Sequence, residues 1–284
     1  MSVVFAVDSS ALPDSEVQPG LTLYDDVLAW AGIAVVPVWF LYLGSGGGAA
    51  KPATPAAVQF LHGRGTSVGL FYNSSTLNGV AQGTYELGLQ DAAEAAQQAA
   101  ALGVPPGTYV WNDVEYKSLD RLTGDYIAGW CDGMRGTTLA GSGGIYANLL
   151  DARFQAAMTA ALGKSPKPPA NVRRLLLFLA SWTVNPPGVT VVRAPGWLAA
   201  GGPAGLPAQI RTQCYGWQYC GRAYGDANDG PVDLSLINLP LPSPGDLWLP
   251  PSGPSTQSVR QQLDQVASDL DTNLARLRQL LGQV

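Results

Sequence analysis

AVVPVWFLYL, residues 34 to 43, is the stretch whose reading decides the fold. It carries no charge and lies inside a longer uncharged segment, Val27 to Ala50, that is long enough for a membrane span. Gly32 and Pro37 interrupt that segment and Gly44 to Gly48 end it. It therefore divides into a helix end, a turn and a short strand apolar on both faces, the kind of strand that parallel sheets bury. No membrane span is predicted.

Seven more runs of similar character follow or precede it: VVFAVD (3 to 8), SVGLFY (67 to 72), TYVWNDVEY (108 to 116), GGIYAN (143 to 148), LLLFLASWTV (175 to 184), QCYGWQY (213 to 219) and PVDLSLI (231 to 237). Helix-like stretches separate most of them: Leu21 to Ala31, Pro55 to Gly63, Thr84 to Leu102, Leu119 to Arg135 and Leu150 to Leu162. The last two intervals hold loops rather than clear helices. Eight buried strands alternating with helices indicate parallel pairing, and a closed cylinder leaves no edge exposed. The expectation is an α/β fold, a (β/α)8 TIM-like barrel over residues 1–240, with a doubly wound open sheet as its rival. The long Gly/Pro-rich segments at 44 to 54, 185 to 207 and 220 to 230 follow strands, and so belong to the face where such barrels carry function.

Beyond the barrel, LPLPSPGDLWLPPSGP (239 to 254) can form neither helix nor central strand, and a semi-rigid Pro-rich linker is predicted over 241–256. After it Val259, Leu263, Val266, Leu270, Asn273, Leu277, Leu280 and Val284 follow at alternating spacings of four and three. That is a heptad seam over 257–284. Val at a, Leu at d and one Asn at a point to self-association as a parallel dimer, with a trimer as the variant. Leu274 and Leu281 broaden the stripe, which would also suit a single amphipathic helix folded back on its own barrel or docked on a partner.

Composition removes several function classes. A net charge of -5 and a pI near 4.8 speak against a phosphate-backbone binder, so no nucleic-acid partner is expected. Cys131, Cys214 and Cys220 form no paired framework; an extended path from Cys214 to Cys220 separates their Cα atoms by roughly 20 Å, and all three read as free thiols. One histidine, His62, falls in a helix with a packing role, which leaves little material for a histidine-based zinc site or catalytic triad. GDANDGPVD, with Asp226, Asn228, Asp229 and Asp233, lacks the spacing and distal Glu of a calcium loop, and GSGGG at 44 to 48 lacks the lysine of a phosphate loop. Neither a metal nor a cofactor is expected. The opening MSVVFAVDSS shows no secretory signal. A cytoplasmically made protein acting at the cell envelope would then need release, non-classical export, or carriage in a virion or injection machine.

The chemistry concentrates in VWNDVEY. Side chains two apart on a strand share a face, so Asp113 and Glu115 both point into the barrel near the strand's C-terminal end. An acid inside an apolar strand is costly and needs a reason. Paired carboxylates are what glycoside hydrolysis requires, and crowding raises the pKa of one so that it keeps a proton near neutrality. Asp8 ends the first strand and Asp233 lies in the last, and a closed barrel makes those strands neighbours. Trp39, Tyr72, Tyr146, Trp182, Trp217 and Tyr219 are candidate sugar-stacking aromatics; about half of them are expected only to pack the core.

The order VDSS, FYNSS, VWNDVEY, GIYAN, LASWT, WQYC with a glycine-rich loop, and VDLSLIN resembles the glycoside-hydrolase-like barrels related to the family 25 lysozymes, over about residues 1 to 240. The resemblance implies Glu115 as general acid and Asp113 as its positioning or stabilising partner. Asp8 and Asp233 become flanking acids, and the bond cleaved is the β-1,4 linkage after N-acetylmuramic acid in bacterial cell-wall peptidoglycan. One departure is Leu41 ahead of Tyr42, where the resembling subgroup often has an arginine, and it bears on substrate more than on fold. Two functions are therefore expected: a peptidoglycan glycoside hydrolase, or a catalytically silent glycan-binding or structural barrel in a multichain assembly such as a phage tail or injection machine.

Overall fold

The computed structural model describes residues 2–44, 50–73, 77, 79–139, 141, 143–163, 172, 176–184, 205–211, 213–224, 232–239 and 247–248. Its strands in chain order are β1 (Ser2–Ser9), a small ribbon of β2 (Glu16–Gln18) and β3 (Leu21–Thr22), β4 (Val38–Tyr42), β5 (Ser67–Asn73), β6 (Trp111–Asp113), β7 (Gly144–Ala147), β8 (Leu176–Val184), β9 (Cys214–Tyr224) and β10 (Val232–Leu239). The helices are α1 (Leu23–Ala31), α2 (Pro55–Gly63), α3 (Tyr85–Leu102), the single turn α4 (Tyr116–Leu119), α5 (Gly124–Arg135), α6 (Ala152–Gly163) and the single turn α7 (Ala208–Arg211). Thr22, Thr54, Thr84 and Thr123 cap α1, α2, α3 and α5, each hydroxyl accepting the amide three residues on, which fixes where those helices start.

Eight strands close into a barrel in the order β1-β10-β9-β8-β7-β6-β5-β4, and β4 pairs with β1. The α/β barrel expected from the alternation is present, with one correction. β10 runs antiparallel to both β1 and β9, so the cylinder is mixed rather than all parallel. Only residues 225 to 231 separate β9 from β10, fewer than the dozen or so that a crossover to a parallel neighbour needs. As a result β10 begins at the face where the other barrel strands end.

Two apolar layers share the strands. The interior holds Phe40, Phe71, Trp111 and Phe178, with Phe40 stacked on Phe71 at 4.6 Å and edge-on to Phe178 at 5.3 Å. Each of three inner aromatics lies in register with a glycine on the next strand: Phe40 with Gly69, Trp111 with Gly144, Phe178 with Gly216. A Cβ on those glycines would come within 2.3, 2.2 and 2.3 Å of the facing ring, so the absent side chain is the space the ring occupies. The outer layer packs the strands against the helices and includes Trp39, Leu41, Leu70, Trp217 and Tyr219.

The polypeptide returns to the barrel after β10. Trp248 exchanges both backbone hydrogen bonds with Val68, each 2.9 Å, ahead of the part of β5 that β6 pairs. The His62 Nε2 lies 3.2 Å from the Trp248 carbonyl and its ring meets the Trp248 indole edge-on, while Leu247 joins the interior cluster. The segment read as linker is thus anchored to the barrel at these two residues. Met1–Pro250 groups as one compact unit, and the heptad segment 257–284 lies outside the described residues. Among the described residues no helix is long and apolar enough to cross a membrane. All three cysteines are free and buried.

Candidate active site

Four acids meet where the parallel strands end. Asp8 lies on the inner face of β1, in phase with Ala6, and Asp233 stands opposite it on β10. Asp113 ends β6 in phase with the inner Trp111, and past it Val114 still donates to the Tyr146 carbonyl at 2.8 Å. That extra ladder bond keeps the backbone extended through Glu115, whose φ and ψ are -122° and 166°, so both acids of the DxE stay on the interior side. Glu115 precedes α4 without capping it, and its carboxyl lies among the other acids.

The floor beneath them is the aromatic interior, and this burial governs their ionisation. Asp8 is 2% exposed and Asp113 9%. The Asp8 carboxyl is pushed well above the ordinary carboxylate range, first by burial and then by the negative charges of Asp233, Glu115 and Asp113. Burial raises Asp113 to about 7. Burial, with Asp113 and Asp233 adding, raises Glu115 to about 9. These shifts keep the proton on Glu115 at neutral pH, while Asp113 passes to its anionic form near neutrality.

Hydrogen bonds hold the ring of acids. The Tyr146 hydroxyl donates to Gln218 Oε1 at 2.5 Å, and Gln218 Nε2 donates to Asp233 Oδ2 at 2.9 Å. Asn73 Nδ2 donates to Asp113 Oδ2 at 3.4 Å. Among the described residues, Asp8 Oδ2 and Asp113 Oδ1 are buried and accept no hydrogen bond. Among the described residues no cationic side chain pairs with Asp8, Asp113 or Glu115.

The candidate residues thus divide. Asp8, Asp113, Glu115 and Asp233 come together, and Tyr146 joins them from β7. Trp39, Tyr72, Trp217 and Tyr219 do not reach the pocket; as a correction, they belong to the outer layer. Trp39 stacks on Tyr24 at 5.7 Å, Tyr72 stacks on Trp130 and donates to Asp91, and Trp217 and Tyr219 pack against each other edge-on. Strand phase is the reason: these side chains sit one residue out of step with Phe40, Phe71 and Gln218. The side chain of Trp182, and residues 45–49, 185–204 and 225–231, lie outside the described residues.

Three residues enter the site without having been singled out. Tyr42 projects inward, and all four acids raise its hydroxyl well above its ordinary range, after burial. Gln218 and Asn73 supply the amide donors. The signal for Tyr42 was its even spacing from Phe40, and that for Gln218 its place between the two outward aromatics of WQY. Among the described residues no group of three or more His, Cys, Asp or Glu side chains is arranged to hold a metal ion.

Residues 29–222 match the Rv2525c-like, glycoside hydrolase-like domain. No curated protein matches the sequence. Among solved structures, a Bacillus stearothermophilus protein superposes with a TM-score of 0.63 at 20% identity, over 86% of this chain and 100% of its own. The Mycobacterium tuberculosis Tat-secreted protein Rv2525c, in complex with L-tartrate, gives 0.51 at 16%, over 84% and 97%. The Clostridium perfringens spore cortex lytic enzyme SleM gives 0.50 at 16%, over 83% and 67%. At these identities the likeness is one of fold.

Proposed function

The chain belongs to the Rv2525c-like glycoside hydrolase-like domain family, and from that premise we propose that it is a glycoside hydrolase of bacterial cell-wall peptidoglycan, with Glu115 as general acid. The observation that carries the reading is Glu115 itself, an acid raised to about 9 with three further carboxyls gathered beside it at the barrel mouth. Glu115 gives its proton to the glycosidic oxygen as the bond from the anomeric carbon breaks. Asp113, with Asp8 and Asp233 beside it, stabilises the oxocarbenium-like state. Water then adds to the anomeric carbon, and its proton passes to the carboxylate cluster. The fold shared with a spore cortex lytic enzyme supports the choice of wall glycan.

Release of reducing ends from purified peptidoglycan by wild type and by Glu115→Gln tests the assignment. The variant should lose about 10²–10⁴ in rate, the usual contribution of general acid catalysis. Equal rates would overturn the assignment and leave a glycan-binding or structural barrel in a multichain assembly.

We also propose action at the cell envelope and self-association through 257–284, on the strength of the heptad spacing. Sedimentation of the full chain beside a chain ending at residue 254 reads this directly: one mass for both, scaled only for the missing residues, removes it.

A further inference from the structure

Asp91, on α3, is fully buried on the outer side of the barrel. Its two oxygens take different phenols: Tyr126 of α5 donates to Oδ2 at 2.6 Å, and Tyr72 of β5 donates to Oδ1 at 3.4 Å. A hydroxyl has one proton, so the Tyr126 oxygen, having given it to Asp91, meets Asn112 of β6 as an acceptor, and Asn112 Nδ2 donates to it at 2.7 Å. Tyr72 and Asn112 are cross-strand partners, and the next pair along the two strands is Asn73 and Asp113. Successive side chains point to opposite faces, which sets the first pair against the helices and the second in the site. There Asn73 Nδ2 donates to Asp113 Oδ2 at 3.4 Å, near the upper end of hydrogen-bond length, where a small shift between the strands makes or breaks the bond.

We infer that Asp91 is a positioning residue: by holding Tyr72 directly and Asn112 through Tyr126, it fixes β5 against β6 from outside the barrel and so sets the Asn73–Asp113 bond inside it. The inference deepens the glycosidase reading and rests on it for its catalytic meaning, since a hydrogen-bond donor on Asp113 favours the anion that the reaction uses. The ladder leaves a place for such a hold, because β6 pairs with β5 over only three residues, Trp111 to Asp113. Tyr72, Asp91, Asn112 and Tyr126 are each at most 1% exposed, so water offers none of them an easy substitute partner. The titratable groups around Asp113, namely Asp8, Tyr42, Glu115 and Tyr146, stay in place in the Asp91, Thr84 and Tyr126 variants below.

Amide NMR of the full chain across pH reads the pair directly. The Asn73 side-chain NH2 signal, assigned by its loss in Asn73→Ala, should move as Asp113 ionises, and Asp113→Asn should abolish that movement. In Asp91→Leu the movement should lose most of its amplitude, whereas Asp91→Asn, which still accepts from Tyr126 and can donate to Tyr72, should keep it. Thr84→Ala removes the cap of the same helix and leaves Asp91 its partners, so there too the movement should persist. An undiminished movement in Asp91→Leu or in Asp113→Asn overturns the inference. So does an equal loss in Asp91→Asn or Thr84→Ala, because then the two phenol bonds are not what sets the pair. Should circular dichroism show Asp91→Leu unfolded, Tyr126→Phe decides by the same criterion, since it keeps the ring and cuts the link to Asn112. Because the readout is the signal of one side chain, it stands apart from reducing-end release, whose failure would instead remove the glycosidase reading.

Discussion

Asp8 and Asp233 stand directly opposite each other across the antiparallel pair that closes the barrel. Side chains so placed are about 4.5–5.5 Å apart at Cβ, and like charges there destabilise. The reversal of β10 brings this about, because it delivers an acid near the beginning of one strand to an acid near the end of another. The barrel thus carries a repulsion at its mouth that a packing-driven sequence would avoid, which is the pattern expected where function has set the residue types.

The first prediction concerns stability against pH. An acid whose pKa is raised in the folded state keeps a proton that the unfolded chain has lost, so folding is penalised increasingly as pH climbs from the ordinary value to the folded one. For Glu115 that window runs from 4.5 to about 9, and for Asp8 it opens near 3.8 and extends well upward. Asp8→Asn and Glu115→Gln should therefore raise Tm at pH 8 and leave it nearly unchanged at pH 4. Calorimetry showing equal gains at both pH values would mean that repulsion and burial of charge are not what the native residues bear.

The second concerns activity. In the proposed reaction Glu115 must be protonated and a neighbouring carboxyl ionised; burial raises Asp113 to about 7 and Glu115 to about 9. Peptidoglycan cleavage should peak between these values. Asp113→Asn should flatten the acidic limb while leaving the alkaline one, and the limbs belong to the coupled cluster rather than to isolated residues. A rate that rises steadily below pH 6 would contradict this order of ionisation.

How much of this was legible in the sequence depended on whether a strand showed its phase. VWNDVEY did, because two acids two apart in an apolar run can share only one face, and that face had to be the pocket. AVVPVWFLYL did not: a strand buried on both sides has no polar residue to mark which face is which, and Trp39 was chosen where Tyr42 is the inward aromatic. QCYGWQY hid Gln218 in the same way, as a polar residue between two aromatics that drew attention outward. The antiparallel course of β10 was not legible, because continuous apolar runs do not distinguish strand direction and the connection looked long until β9 was seen to run on to Tyr224. The anchoring of Leu247 and Trp248 left little local trace, because both sit among prolines that signal only irregular backbone.

The third prediction separates the two aromatic layers. Trp39→Ala removes a fully buried outer side chain and should cost about 3–5 kcal/mol, read by denaturant unfolding. Tyr42→Phe keeps the ring against Phe71, 5.6 Å between centroids, and removes only the hydroxyl among the four acids. It should lower kcat at least tenfold with little change in the denaturation midpoint. The reverse pattern would place the pocket on the wrong side of β4.

The fourth addresses the glycine-aromatic register. A methyl group at Gly144 would stand 2.2 Å from the Trp111 ring, in an interior already filled by Phe40, Phe71 and Phe178. Gly144→Ala should destabilise by about 1–3 kcal/mol through overpacking. Combining it with Trp111→Leu should recover part of that loss relative to the sum of the single changes. Strict additivity in the double-mutant cycle would show that the two positions do not share the space assigned to them.

The last prediction sets where the folded unit ends. β10 finishes at Leu239, yet Leu247 is 7% exposed within the interior cluster and Trp248 pairs with Val68, whose backbone groups β6 leaves uncovered. A chain cut after residue 240 exposes that strand edge and opens the apolar interior, whereas one cut after 250 retains both contacts. The shorter chain should unfold at lower denaturant and associate, and the longer one should match the full chain in unfolding midpoint. Leu247→Ala within the full chain should cost about 2–5 kcal/mol by itself, since the cavity opens next to packed rings that cannot collapse into it. If the chain ending at 240 is as stable as the one ending at 250, the return of the polypeptide to the barrel contributes nothing, and the boundary belongs at the end of β10.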